Sequence, residues 1–193
     1  MGFDLNAELL DQLTWHWDNQ FRPRLVGLTD DEYLWEPVDG CWNLRPRDEA
    51  KTRMSAGSGD WVLDFDMPEP VPAPVTTIAW RIGHILVGIF AMRNATHFGG
   101  APTDYNSYDY PEHADAALAQ LDELEAAWVA GVRSLSEKDL MGPSGEPDFE
   151  TASMAALVLH IHRELIHHGA EIALLRDLYA WRPTAESGDS VLR

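Results

Sequence analysis

The sequence predicts an all-α protein, a four-helix bundle with a small strand-like insert between its first and second helices. Three observations predict it. Four segments of about twenty residues or more carry apolar residues at three- and four-residue steps. The region between the first and second of them, 37–75, loses that period and is broken by prolines. Each apolar stripe needs a partner surface, and four such helices satisfy one another in a bundle.

The first helix is predicted from Asp4, its N-cap, to about Gly27, with Leu5, Leu9, Leu13, Trp17, Phe21, Leu25 and Leu28 on one face. Pro23 is expected to kink or end it. "LTDDEYLW" reads as one short helical turn capped by Thr29. In the insert, "CWNLRPR" and "WVLDFDM" are strand-like and "SAGSG" can join them as a hairpin. The insert is expected to lie on the bundle as a flap. The second helix starts after Thr76 or Thr77 and runs to "FGG". Ile78, Ile82, Ile85, Ile89 and Met92 form one stripe, and Trp80, Val87 and Ala91 another, so most of its surface is expected to be buried.

The third helix is predicted from Pro111, with Ala114, Leu118, Leu121, Leu124, Trp128, Val132 and Leu135 inward and Glu123 and Glu125 toward water. The short link before it makes it an antiparallel neighbour of the second. The fourth is predicted from Thr151 to Trp181, stopping before Pro183. Met154, Val158, Ile161, Leu165, His168, Ile172, Leu175 and Tyr179 form its seam. One bundle domain over 1–183 is expected, and 184–193 reads as a solvated tail.

The chain has 193 residues and a formal net charge of −18. Such acidity opposes phosphate backbones and anionic lipid, so neither nucleic acid nor membrane is expected as a partner. One cysteine, Cys41, allows no disulfide within the chain and is read as packing beside Trp42. With no signal-peptide pattern at its start and no membrane-spanning run, the sequence predicts a cytoplasmic protein.

"LHIHRELIHHGAEIALLR", from Leu159 to Arg176, holds four of the eight histidines. His168 sits where the seam demands a hydrophobe, and Glu164 lies one turn earlier on nearly the same face. On spacing alone this pair reads equally as a buried histidine satisfied by a carboxylate and as two metal ligands. His160, another turn back, can join them. His162 and His167 are expected at the surface or boundary. A metal needs a third ligand, and His84 in "TIAWRIGHILVG" is the candidate, although the isoleucine stripe puts it on the opposite face of its helix. His16, His97 and His113 are weaker candidates.

"TTIAWRIGHI" and "ELIHHGAEIALLR", with "DQLTWHWDNQF" and "YLWEPVDGCWNLRPR", resemble the DinB-like superfamily of metal-binding four-helix bundles, over about Leu5 to Trp181. Many members use three histidines, one on the second helix and two on the fourth. Here the middle position is Glu164, which is similar instead to the mycothiol-dependent maleylpyruvate isomerase branch. The resemblance implies His84, Glu164 and His168 as ligands, with His84 pointing inward. It implies a divalent metal, zinc first, with nickel or iron as alternatives. It further implies a low-molecular-weight thiol of the mycothiol type, a small electrophile as substrate, and pairing into a homodimer. That isomerase has a second domain beyond its bundle, so maleylpyruvate isomerisation itself is not expected of a sequence ending at Arg193.

The function predicted is metal-dependent thiol transfer. The alternatives are a metal-dependent hydrolase and a metal-binding bundle without catalysis. Glu171 and Asp64 are loose candidates for orienting the imidazoles. The tryptophan-rich N-terminal half is expected to serve mainly as packing.

Overall fold

The computed structural model describes residues 4–147 and 150–183, so the predicted tail lies outside the described residues. Helix α1 is continuous through three segments: Leu5–His16, a wider π turn Trp17–Phe21, and Arg22–Arg24. The Asp4 carboxylate accepts the Ala7 N–H at 3.1 Å, as a cap should. Pro23 does not stop the helix on the spot. A proline ring clashes with the carbonyl four residues back, and the π turn preceding it opens the backbone there. Leu9, Leu10, Leu13, Trp17, Phe21 and Leu25 are buried.

Helix α2 (Asp30–Tyr33) is capped by Thr29. Strands β1 (Leu44–Pro46) and β2 (Trp61–Leu63) pair antiparallel, with Leu44 opposite Leu63. Leu44 and Leu63 belong to the same apolar cluster as the long helices, so the hairpin is anchored in the core. Beneath it Asp64 is wholly buried, paired with Arg45 at 2.7 Å and accepting the Asn43 N–H at 3.1 Å. Cys41 is buried and its thiol donates to the Val38 carbonyl.

Helix α3 again has three segments: Ile78–His84, a π turn Ile85–Ala91, and Met92–His97. Thr77 caps it, accepting the Trp80 N–H. Ile82, Ile85 and Ile89 are buried, and so are Leu86, Val87 and Phe90 on other faces, as the double stripe required. Helix α4 (Ala114–Arg133) starts three residues later than Pro111. The physical reason is a cap supplied from elsewhere: Asp30 accepts the Ala114 N–H at 2.8 Å and pairs with His113 at 2.9 Å. Pro111 is held outside the helix, where its carbonyl accepts the Tyr33 hydroxyl.

A short helix α5 (Glu137–Met141), closed by a Ser136–Asp139 capping box, was not foreseen. Helix α6 (Met154–Ala180) begins at a Ser153 cap rather than at Thr151. Its seam from Met154 to Leu175 is buried as expected. Helices α1 and α3 each lie against both α4 and α6, so the four long helices form one bundle around a shared core. No helix among the described residues is long and apolar enough to cross a membrane.

Two expectations are corrected. His162 is not a surface or boundary residue: it is 4% exposed, and its Nε2 accepts the Trp128 indole N–H. The helix has a second inward face, toward α4, that a single seam does not capture. Glu125 does not face water either; it is 8% exposed on α4.

Candidate metal centre

His84 ends the first segment of α3, where the π turn begins. The Trp80 ring, one turn earlier, lies near-parallel to the imidazole at 5.8 Å. Trp80 is held in turn by its indole N–H on the Asp64 carbonyl at 2.8 Å. The Tyr105 hydroxyl hydrogen-bonds His84 Nδ1 at 2.6 Å. Gly88 makes that approach available, because a Cβ there would fall 2.1 Å from the Tyr105 oxygen.

The structure brings His84 to His168 across the α3–α6 interface. The two rings meet edge to face with centroids 4.7 Å apart. Glu164 lies beside them, its Oε2 3.8 Å from His168 Nε2. Its other oxygen is 3.1 Å from Arg163 and 3.7 Å from His160. His168 Nδ1 sits 2.7 Å from Glu171 Oε2, and Arg81 from α3 contacts the same oxygen at 3.1 Å.

These contacts set the proton on His168. A carboxylate only accepts, so at 2.7 Å the Nδ1 must carry the hydrogen. Arg81 is also 3.5 Å from Nδ1, but it finds its acceptor in Glu171. The neutral ring then presents a bare Nε2 lone pair toward Glu164. Burial lowers the His168 pKa, and Arg81 and His167 add to the effect despite Glu171. Burial pushes His84 down to about 4, with the charges of His168 and Arg81 acting in the same direction. Burial works to raise Glu164, but the Arg163 hydrogen bond and the His160, Arg163 and His168 charges outweigh it and hold it below the usual range. At neutral pH the cluster is therefore two neutral imidazoles and one carboxylate, the protonation state of a metal-ligand set.

Among the described residues, the three-donor group whose ligand atoms all fall within 4.8 Å of one another is His167, His168 and Glu171, and it could hold a metal ion. It shares His168 with the predicted set but lies on the other side of the ring, and His167 is exposed. The 2.7 Å from His168 to Glu171 is a hydrogen-bond distance. Two ligands at ~2.0 Å from one tetrahedral ion sit about 3.3 Å apart. The 3.8 Å between His168 Nε2 and Glu164 is too long for a hydrogen bond and close to that spacing. A lone pair facing a carboxylate with no proton between them is repulsive, and a cation relieves it. Glu164 and His168 therefore leave room for a cation between them, and the His84 ring stands beside that pair, but the donor atoms of His84, Glu164 and His168 do not all lie within 4.8 Å of one another.

Of the two loose candidates for orienting the imidazoles, Glu171 bonds His168 directly. Asp64 pairs with Arg45 and reaches the site only through Trp80. Sequence reasoning missed Tyr105, which lies in a non-periodic loop. It also missed Arg81, whose position three residues before His84 was a usable signal. Beside His84, Arg93, Tyr105, His160 and Glu164 line a cavity of about 220 Å³.

Histidines brought together from facing helices, with carboxylates beside one of them, place the molecule in the class of helical bundles whose core carries a group that could hold a metal ion. A family model described as the DinB superfamily matches residues 12–172, and the chain belongs to that superfamily. Neither the curated proteins nor the solved structures gave a match.

Proposed function

We propose that this protein is a metal-dependent enzyme whose ion is held by His84, Glu164 and His168, with Glu171 and Tyr105 fixing the two imidazoles. The observation that carries the reading is the bare His168 Nε2 facing the Glu164 carboxylate at 3.8 Å. Hydrogen-bonded outer partners of this kind set tautomer and ring orientation in metal sites. Zinc suits two imidazoles and a carboxylate, and the set leaves a position open for a further ligand. An ion there would supply a Lewis-acidic point at which a thiol or a water loses its proton.

The residues do the remaining work. The Glu171–Arg81 pair keeps the His168 proton on Nδ1. Trp80 and Tyr105 fix the plane of His84. The cavity admits a small molecule beside these groups. The finer reading is transfer of a low-molecular-weight thiol of the mycothiol type to a small electrophile, supported by the His–Glu–His set that resembles the thiol-dependent branch. Cys41 is not the nucleophile, because it is buried in the insert and burial raises its pKa. A metal-dependent hydrolase is the second reading, favoured by the modest size of the cavity beside His84, about 220 Å³.

Metal analysis of the purified protein tests the centre: about one equivalent of ion is expected, lost in His84→Ala and His168→Ala. Full loading of both variants would overturn it. An assay of electrophile consumption with and without added thiol separates the readings. Turnover that needs no thiol would replace transferase by hydrolase, and no turnover with either would leave a non-catalytic bundle.

A further inference from the structure

Two hydrogen-bonding side chains, Arg93 and Tyr105, line the cavity beside His84. Arg93, from the last segment of α3, lines it. Glu146 takes its Nη1 at 2.7 Å and is fixed in turn by His97 at 2.7 Å. The Arg93 Nε is buried and has no hydrogen-bond partner. The guanidinium that lines the cavity is a planar cation with several N–H donors, a group that matches a carboxylate. A buried unsatisfied donor is costly, and more so when charged.

Tyr105 supplies the second donor. If His84 is to offer Nε2 to an ion, its Nδ1 must carry the proton and donate it to the Tyr105 oxygen. The Tyr105 hydroxyl hydrogen is then free, and this oxygen also lies at the cavity. This step rests on the metal reading above; the Arg93 observation does not. Glu164 lines the same cavity and Glu146 sits behind Arg93, so each extra negative charge on a ligand is opposed. That favours a monoanion over a phosphate dianion. With a formal charge of −18, the chain offers no general attraction for anions, so recognition must be local.

We propose that this cavity is a carboxylate subsite, in which Arg93 and Tyr105 hold the anionic end of a small carboxylic acid next to the metal position. The substrate class is thus a short monocarboxylate whose reactive part lies toward His84 and Glu164.

The test is ligand-observed NMR titration of the protein as purified, with its metal content measured on the same batch. The probes are propanoate, propanamide and inorganic phosphate. Propanoate should bind about tenfold or more tighter than propanamide, the effect of hydrogen bonds to a charged group. Arg93→Met should abolish that preference with metal content unchanged. Since Arg93→Met strips Glu146 of a partner, Arg93→Lys and Tyr105→Phe carry the test if it fails to fold, and each should weaken the preference several-fold. Equal affinity for acid and amide overturns the proposal, as does tighter binding of phosphate. A preference kept in Arg93→Lys and Tyr105→Phe also overturns it, by placing the carboxylate on the metal position alone. A metal-free batch that still prefers propanoate upholds the subsite while the metal reading falls.

Discussion

His162 and His168 lie on the same helix, both nearly buried, both with the pKa held down chiefly by loss of water. Their surroundings differ. His162 meets one indole N–H, from Trp128. His168 meets His84, Glu164, Glu171 and Arg81, gathered from two helices. A buried imidazole needs only one partner to be tolerated. A second, facing set of donors on the opposite ring nitrogen is surplus to that need and marks chemistry. Burial and spacing alone do not separate the two residues; convergence from a second helix does.

His168→Ala gives the largest expected effect on that contrast. Metal affinity should fall at least about a hundredfold by competitive chelator titration, while His162→Leu keeps it. Loss of metal in His162→Leu would erase the distinction. Glu125 shows a third outcome, a buried carboxyl that the Arg133 charge offsets only in part. Burial, with Asp18 and Asp122 nearby, pushes its pKa up to about 7. The folded state then holds a proton the unfolded state releases, so stability is lost as pH rises from about 4.5 to about 7. Glu125→Gln should therefore stabilise the fold at pH 8 by roughly 2–3 kcal/mol, and much less at pH 5, by urea unfolding.

Glu171→Gln removes the carboxylate that fixes the His168 proton. Metal affinity should drop about 10–100-fold with the fold intact by circular dichroism. Gly88→Ala drives a methyl into the Tyr105 hydroxyl and should cost up to about tenfold in metal affinity through His84. The smallest change is expected of His167→Ala, under about twofold in the same titration. A loss there as large as in His168→Ala would move the ion to the outer group with Glu171.

Much of this was legible in the sequence, because helices announce themselves by period. The α6 seam, the Asp4, Thr29 and Thr77 caps and the hairpin partners all follow from local rules. Local rules failed where a contact came from afar. The α4 start is set by Asp30, more than eighty residues away, and His162 and Glu125 are buried by neighbours on other helices. At the site, the α6 residues Glu164 and His168 were visible through their spacing. The orientation of His84 was not, because an ideal 3.6-residue period does not run through a π turn. Tyr105 lies in a loop with no period to read.

The π turn in α3 has a consequence for how this centre varies over evolutionary time. A π turn holds one residue more than the α-helix it interrupts. Deleting any single codon within Ile85–Ala91 would let the segment close into regular helix with its two flanks in nearly the same relative rotation, because the wider turn takes up the extra residue. The same deletion within the regular Ile78–His84 segment would swing one flank about 100° against the other. The π turn is thus the stretch of α3 where a one-residue change in length leaves His84 and Arg93 on their faces. A lineage could lengthen or shorten the helix there in one step and keep the centre.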